Sequence, residues 1–318
     1  MPTPANPEPP LIYDYWPDEG RPPVRWPNGA RVAFYVGVNL EYFEPGKRGA
    51  VLSANSAHLV PDPLNAGWRD YGPRVGVWRL LRLFDELGIR GTALLNSDCC
   101  IRYPAIAEAV TRRDWAMVAH GKNNSVLHTD LPEDAERAIL AEIVETIERT
   151  TGRRPKGWLG PVLSESYRTP ELLGELGVDY LLDWCSDDQP FPLRVPGRRM
   201  IGVPYSVEVN DITVFPGTSA PGKVFERMII DQFDVLYDEG AQSGRVVALA
   251  LHPFIASQPF RHPYLRRALE YIVRHDGVWV TTSDEIAAWY LDQFHDRDVA
   301  AIAIGGGAAT APGGAIGS

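Results

Sequence analysis

The 318-residue sequence contains little cysteine and no long apolar segment. Its three cysteines, Cys99, Cys100 and Cys185, are too few for a disulfide framework, and no C-x-x-C pair indicates a structural zinc site. No run of about 18 apolar residues is present, and no basic segment followed by an apolar one begins the chain. We therefore expect a cytoplasmic protein that neither spans a membrane nor carries a signal peptide.

The chain also has fewer basic residues than acidic ones. The chain has 31 Lys and Arg residues against 41 Asp and Glu residues, which gives a formal net charge of -10. A field of this sign repels phosphate backbones and anionic lipids, so binding to nucleic acid or to a membrane surface is disfavoured. The partner expected from this composition is a small-molecule substrate.

Between the chain ends, short apolar runs alternate with segments of helical periodicity. The run 31–38 predicts a buried strand, and residues 75–87 place six apolar side chains on one helical face. The alternation continues to residue 291 without a linker or repeat, which is typical of parallel strands joined by helices. The sequence thus predicts an α/β fold with a single domain, a distorted (β/α) barrel of parallel strands over residues 29–293.

Two terminal segments lie outside the predicted barrel. Residues 1–28 are rich in proline and contain tyrosine and tryptophan, which predicts an extended arm anchored on a surface of its own chain or of a neighbour. Such an arm favours a homo-oligomer. Residues 294–318 are dominated at their end by Gly and Ala, which cannot offset the entropy lost on ordering, so we expect a flexible tail.

The predicted strands end in polar and aromatic side chains. In a parallel barrel the catalytic groups lie at the carboxyl ends of the strands, where they meet at one mouth. The residues found at or just after these ends are Asn39, Glu41, His120, Asn124, Trp158, Asp188, Gln189 and His252.

The order of these motifs resembles the polysaccharide deacetylase (NodB-homology) superfamily. The motifs are His120-x-x-x-Asn124, Trp158-Leu-Gly-Pro161, Asp183-Trp184 with a following acidic pair, and Leu251-His252-Pro253. Segments 68–79, 157–161 and 183–191 are more narrowly similar to the branch that contains metal-independent bacterial allantoinases, cyclic imide hydrolases and some peptidoglycan deacetylases. The resemblance, over roughly residues 28–293, implies a barrel of the NodB-homology type.

The departures from the superfamily pattern concern the metal. Zinc deacetylases of the superfamily use an Asp-Asp pair and two histidines spaced H-x-x-x-H, whereas this chain has Asn39 and Glu41 at the pair and Asn124 at the second histidine. An Asn amide is a poor substitute for imidazole as a zinc ligand. The resemblance therefore implies that no cofactor is required, with a weak zinc site through Glu41 and His120 as the other outcome.

The resemblance also implies roles for the candidate residues. Amide or imide hydrolysis needs a base for water, donors for the oxyanion and an acid for the leaving nitrogen. We expect Glu41 to be the general base, with His120 and His252 orienting the water, donating to the oxyanion or protonating nitrogen. The candidate substrate contacts are Asn39, Asn124, Trp158, Asp188, Gln189 and Arg69.

These roles predict a hydrolase of non-peptide carbon–nitrogen bonds that acts on a small cyclic amide, ureide or imide, with allantoin as the first compound to try. Two alternatives stay open: a metal-dependent deacetylase of N-acetylated polysaccharide or peptidoglycan, and a catalytically silent barrel that binds a ligand. Structural interpretations also stay open, because Glu41 could pair with Arg69 or Arg74, Trp158 could be a core aromatic, and Asp211 could form a turn.

Overall fold

The computed structural model describes residues 11–129, 131–216 and 221–306. The strands in these residues are β1 (Val32–Leu40), β2 (Thr92–Leu95), β3 (Ala116–Ala119), β4 (Gly157–Trp158), β5 (Tyr180–Leu181), β6 (Phe191–Leu193), β7 (Met200–Gly202), β8 (Arg245–Leu251) and β9 (Val278–Val280). The α-helices are α1 (Pro63–Tyr71), α2 (Val77–Leu87), α3 (Ser97–Arg102), α4 (Pro104–Arg112), α5 (Glu133–Thr151), α6 (Thr169–Glu175), α7 (Asp211–Val214), α8 (Gly222–Glu239), α9 (Pro253–Ala256), α10 (His262–Val273), α11 (Ser283–Gln293) and α12 (His295–Gly306).

The strands form one curled sheet in the order β6-β7-β5-β4-β3-β2-β1-β8, and β9 also pairs with β1. A backbone bridge between Asn210 and Ala250 joins the segment after β7 to β8 and nearly closes the barrel. All pairings within the sheet are parallel except that of β6 with β7. The predicted distorted (β/α) barrel is thus confirmed, with β6 as an antiparallel exception.

Alternation along the strands separates two apolar layers. In β1, Val32, Phe34 and Val36 face the helices, whereas Ala33 and Tyr35 point into the barrel. Successive side chains of a strand point to opposite sides, so each strand contributes to both layers. The interior is filled by side chains, and a cavity opens beyond the carboxyl ends of the strands, where the candidate site lies.

The part of the N-terminal arm that the structure describes lies along the barrel of its own chain. The Trp26 indole is buried and donates a hydrogen bond to the carbonyl oxygen of Arg245 at the start of β8. Tyr13 packs edge-on against Trp184 and Phe191. Tyr13 and Trp26 therefore hold residues 11–28 against the barrel, while residues 1–10 lie outside the described residues.

The prediction of a flexible segment from residue 294 is wrong for its first part, because His295–Gly306 forms α12. The first turn of this helix is tied to the barrel: Asp298 is buried and accepts a hydrogen bond from Tyr290, and Arg297 donates to the carbonyl of Pro23 in the arm. These contacts offset the conformational entropy that the segment loses on ordering, and the amino-acid composition does not reveal them. Residues 307–318 lie outside the described residues.

Among the residues that the structure describes, no helix is long and apolar enough to cross a membrane.

Candidate active site

A cavity of about 460 Å³ opens at the carboxyl ends of the strands. Its inner end is polar, with Asn39, Glu41, His120, Asn124 and His252 exposed to the cavity. Its walls nearer the mouth are largely apolar and come from Phe43, Leu159, Val162, Leu163, Val207 and Ile212. Ligand sites of this kind bury most of a small molecule and orient it through a few polar groups.

Glu41 lies at the centre of the polar end. Its side chain is only 3% exposed, and Oε1 lies 3.4 Å from His120 Nε2 and 3.5 Å from His252 Nε2. Oε1 also accepts a hydrogen bond from the amide of Asn124. The second oxygen, Oε2, is buried and has no hydrogen-bond partner among the described residues. One carboxylate oxygen is therefore held in place while the other keeps its lone pairs for a ligand.

A chain of amides fixes which end of Asn124 faces Glu41. The backbone N–H of Tyr42 donates to Oδ1 of Asn96 over 2.8 Å, so Nδ2 of Asn96 must be the group that donates to the carbonyl of His120 and to Oδ1 of Asn124. With its oxygen engaged, Asn124 presents its NH₂ group to Glu41. At this position the site thus carries a hydrogen-bond donor and lacks a lone pair for a cation.

His252 follows β8 and is held by a carboxylate on its far side. Its Nδ1 lies 2.7 Å from Oδ1 of Asp211, and Oδ2 of Asp211 accepts hydrogen bonds from the backbone N–H groups of His252 and Ala256. Asp211 is fully buried. Because the carboxylate accepts the Nδ1 proton, Nε2 is the ring nitrogen that faces Glu41 and the cavity.

Burial and charge act in opposite directions on this pair. Burial raises the pKa of Glu41, but the positive charge of His252 and the contacts of the carboxylate with both histidines outweigh it and bring the pKa to about 2. Burial lowers the pKa of His252, yet the charges of Glu41 and Asp211 raise it to about 10. At neutral pH the site therefore holds a carboxylate beside an imidazolium.

His120 is oriented from the neighbouring strand. Its Nδ1 lies 2.8 Å from the carbonyl oxygen of Leu159, which can only accept, so Nδ1 carries a proton and Nε2 faces Glu41. The side chain is 2% exposed. Its remaining nitrogen is thus placed where it can orient a water molecule beside Glu41.

This donor set does not fit a three-ligand zinc site. Glu41 and Nε2 of His120 are two candidate ligands, but Asn124 presents its NH₂ group and offers no third lone pair. Within the described residues, no group of three or more His, Cys, Asp or Glu side chains is arranged to hold a metal ion.

Trp158 does not contact the cavity, and its expected role as a substrate wall is wrong. It is fully buried in the layer between sheet and helices, where it packs edge-on against His128. Leu159, the residue that directly follows β4, points into the barrel and lines the cavity instead. The alternation of side chains along a strand gives the inward position to the residue after the tryptophan.

Asp188 and Gln189 also lie away from the cavity. The backbone N–H of Val246 donates to the carbonyl of Asp188, and the Gln189 amide donates to the carbonyl of Gly244. These contacts are at the start of β8, six residues before His252, a separation of roughly 20 Å along a strand. The two residues are not substrate contacts, because the chain after β5 leaves the mouth and runs back towards the amino ends of the strands.

Arg69 does not line the cavity but contacts Phe43, which does. Its guanidinium donates to the carbonyl of Ala50 and stacks over Phe43, which lines the cavity. It is not among the lining residues, so the predicted direct contact with substrate is wrong. The alternative that Glu41 pairs with Arg69 or Arg74 is also wrong, because its partners are His120, Asn124 and His252.

Asp211 and Tyr205 belong to the site but were not assigned to it from the sequence. Asp211, read as a possible turn former, is the buried partner of His252, and Tyr205 lines the cavity beside Asn39. Asn210 caps α7 through its side chain, so the Asn-Asp pair does mark a helix start. The polar residue after that cap, close to the bridge with β8, was the signal that could have identified Asp211.

A second carboxyl pair lies outside the cavity, at the same end of the barrel. Asp183 accepts a hydrogen bond from the backbone N–H of Gly160, and Glu165 accepts one from the Trp184 indole. Burial and the charge of Glu165 raise the pKa of Asp183 well above its usual value. Burial and the charge of Glu136 raise the pKa of Glu165 to about 7, although its contacts with Asp183 and Trp184 act in the opposite direction. Oε1 of Glu165 and Oδ2 of Asp183 are buried without a hydrogen-bond partner among the described residues, and a proton between the two groups would satisfy both.

The fold is similar to that of solved structures of the polysaccharide deacetylase type. A sequence model described as polysaccharide deacetylase matches residues 69–181, and the resemblance stated from the motifs is confirmed. The predicted enzyme class, a hydrolase acting on carbon–nitrogen bonds other than peptide bonds, is confirmed by the relatives of this family.

The relatives include proteins named as deacetylases and one named as an allantoinase. The chain is 25% identical over 266 residues to a peptidoglycan deacetylase of Helicobacter pylori, which covers 73% of this chain and 88% of the relative. A solved structure of a probable polysaccharide deacetylase from Pseudomonas aeruginosa PAO1 has a TM-score of 0.78 and 28% identity, covering 87% of this chain and 96% of its own. A solved allantoinase has a TM-score of 0.76 and 29% identity, covering 88% and 99%.

Proposed function

We propose that this chain hydrolyses a carbon–nitrogen bond of a small cyclic amide, ureide or imide, with allantoin as the first candidate. The observation that carries the proposal is the pair of Glu41 and His252, an ionised carboxylate and an imidazolium at the inner end of a small cavity. A base and an acid held side by side are what hydrolysis of an amide bond requires.

In the proposed reaction, Oε2 of Glu41 accepts a proton from a water molecule, whose oxygen forms a bond to the substrate carbonyl carbon. His252 donates its Nε2 proton to the leaving nitrogen as the carbon–nitrogen bond breaks. The nitrogen stays attached to the product when the bond belongs to a ring, so a single ring-opened acid results. The free oxygen of Glu41 and the inward Nε2 of His252 support these two roles.

The two proton transfers assist each other. The positive charge of His252 is a principal cause of the low pKa of Glu41, and such a low pKa makes a carboxylate a weak base. Glu41 accepts the water proton as the tetrahedral intermediate forms, and when His252 then gives its proton to the leaving nitrogen, its positive charge disappears and Glu41 holds the accepted proton more tightly. Because the two groups titrate as a pair, the second transfer stabilises the product of the first.

The polar groups around the pair suit a ureide or imide. Such a ring alternates N–H donors with carbonyl acceptors, and the cavity offers Asn39, Asn124 and the two histidines to both kinds of group. An activated ring carbonyl needs less electrophilic assistance than an acetamide. We therefore propose that the reaction needs no metal cofactor, consistent with a donor set that lacks a third zinc ligand.

A substrate panel with metal control tests this proposal. The purified chain, before and after exhaustive chelation, is assayed on allantoin, hydantoin and succinimide, with N-acetylglucosamine oligomers as the competing class. We expect turnover of at least one cyclic substrate and the same rate after chelation. Turnover of acetylated sugars alone, abolished by chelation and restored by Zn²⁺, would overturn the proposal.

Zinc-dependent deacetylation of an N-acetylated polysaccharide is the second candidate. It is favoured by the deacetylase names among the relatives, one of them specific for peptidoglycan. The catalytically silent barrel requires no turnover of any compound in the panel together with a ligand that raises the melting temperature. A cytoplasmic location and a homo-oligomeric state stay predictions.

A further inference from the structure

The amide of Asn39 lines the cavity and can be oriented in only one way. Its Nδ2 lies 3.3 Å from the carbonyl oxygen of Leu251 and 3.2 Å from the hydroxyl oxygen of Tyr205. A backbone carbonyl oxygen can only accept, so the NH₂ group of Asn39 must face this way. The amide therefore donates to both partners.

This orientation sets the direction of the Tyr205 hydroxyl proton. Because Asn39 donates to the hydroxyl oxygen, the O–H of Tyr205 must find its acceptor elsewhere. No such acceptor is present among the described residues, and Tyr205 lines the cavity beside Glu41 and His252. The O–H group is thus left to point at whatever occupies the cavity.

Tyr35 is a nearby tyrosine whose hydroxyl proton has an acceptor. It is also buried in the barrel interior, but its O–H donates over 2.7 Å to the carbonyl of Pro204, the residue before Tyr205. Tyr35 does not line the cavity. Of these two buried phenols, only Tyr205 has a proton that remains available to a substrate.

The environment of Tyr205 also keeps this proton in place. Burial raises its pKa, and the negative charges of Glu41 and Asp211 raise it further. The phenol is therefore neutral across the whole range in which Glu41 is ionised and His252 is protonated. It can donate a hydrogen bond but does not act as a base.

We propose that Tyr205 is a catalytic residue that donates its O–H to the substrate carbonyl oxygen as this oxygen becomes an oxyanion, with Asn39 as its positioning residue. The inference rests on the proposed hydrolysis and names the group that stabilises its tetrahedral intermediate. Water adds to the carbonyl carbon, the carbonyl electrons move to oxygen, and Tyr205 shares its proton with that oxygen without losing it. His252 is then free to protonate the leaving nitrogen.

The Tyr205→Phe variant tests this role, with Tyr35→Phe as the matched control. Removal of one oxyanion donor lowers kcat by about 10²- to 10³-fold, so Tyr205→Phe should lose that much with little change in KM. Tyr35→Phe removes a buried hydroxyl of the same kind and should keep kcat within about threefold, since this group makes no contact with the reacting atoms. Thermal unfolding of both variants reports any loss of folded protein.

An Asn39→Asp variant tests the positioning role independently. The carboxylate would replace a donor by an acceptor and turn the Tyr205 O–H away from the cavity, so kcat should fall. In the Tyr205→Phe background the same change should have little further effect, because the hydroxyl is already gone. Additive losses in the double variant would mean that the introduced carboxylate acts through Glu41, and would overturn the positioning role of Asn39.

The outcomes separate this inference from the proposed function. A wild-type enzyme that hydrolyses a cyclic substrate and a Tyr205→Phe variant with equal kcat would overturn the role of Tyr205 alone. If the wild type hydrolyses only N-acetylated sugars, the cyclic-substrate proposal fails, and the same pair of variants still tests the oxyanion donor on that substrate. A wild type without turnover on either class would overturn both.

Discussion

Two buried carboxyl groups at the same end of the barrel have pKa values shifted in opposite directions. Burial raises the pKa of both Glu41 and Glu165, but Glu41 faces an imidazolium, whereas at Glu165 the negative charge of Glu136 adds to the effect of burial. The outcome is a pKa of about 2 for Glu41 and about 7 for Glu165. Burial alone therefore does not decide whether a carboxyl group is charged, because a neighbouring positive charge can reverse the shift.

The comparison also separates a reactive group from a structural one. Glu41 borders a cavity and keeps one oxygen free, whereas the pair of Glu165 and Asp183 is tied to Trp184 and Gly160 outside that cavity. A perturbed pKa marks a functional site only with some probability, since structural networks perturb pKa values as well. Exposure to a cavity is what assigns chemistry to Glu41.

The largest expected effect comes from Glu41→Gln. This change removes the base but keeps the size of the side chain, and we expect kcat to fall by about 10²- to 10⁴-fold. The matched control is Glu165→Gln, which removes the other buried carboxyl group and should leave kcat nearly unchanged. Steady-state kinetics on the best cyclic substrate measure both. Equal losses in the two variants would show that the distinction between the pairs is wrong.

The second effect concerns His252 and its partner. The carboxylate of Asp211 helps to raise the pKa of His252 to about 10, so the wild type should keep its catalytic acid protonated up to that pH. In Asp211→Asn one of the two negative charges is lost, the pKa of His252 falls, and the alkaline limb of the kcat/KM profile should move towards neutral pH. We expect a loss of about tenfold or more at pH 9 and a smaller one at pH 6.

Asp183→Asn serves as the control for this profile, since Asp183 contacts Glu165 and Gly160 instead of His252. Its alkaline limb should coincide with that of the wild type. An Asp211→Asn enzyme with an unshifted alkaline limb would mean that His252 is not the group whose titration limits the rate.

The grouping of Glu41, His120 and His252 could be predicted because it depends only on strand order. Carboxyl ends of parallel strands meet at one edge, so polar residues that follow several strands converge whatever the details of packing. Asn39 and Asn124 lie at the cavity for the same reason. The catalytic roles of these residues stay predictions until variants are assayed.

The site residues that were assigned wrongly or missed depend on three-dimensional geometry that local sequence patterns do not encode. β4 has two residues, too few for alternation to show that Leu159 and not Trp158 points inward. The path of the chain beyond β5, which carries Gln189 away from the mouth, is set by tertiary contacts with β8. The hydroxyl direction of Tyr205 depends on the amide of Asn39, which lies 166 residues away in sequence.

The smallest effect we predict is on stability. The pH dependence of stability contributed by Glu165 has the opposite sign to that contributed by Glu41. A carboxyl group whose pKa is raised on folding makes the native state bind more protons than the unfolded state, so stability is retained below the unfolded pKa and falls as pH rises through the folded pKa. For Glu165 this window lies between its usual value near 4.5 and about 7. Glu41 has the opposite sign, and its contribution is lost only in acid.

The variant Glu165→Gln should therefore remove part of the alkaline destabilisation. Gln keeps an oxygen that can accept from the Trp184 indole and does not ionise, so Asp183 is left without a second negative charge beside it. We expect the variant to have a higher free energy of unfolding than the wild type at pH 8. This difference should exceed the difference at pH 5 by about 1 to 2 kcal/mol, measured by urea denaturation. Glu145→Gln, at an exposed position of α5, should show no such pH-dependent gain. A gain that is equal at both pH values would mean that burial does not keep Glu165 protonated in the folded state.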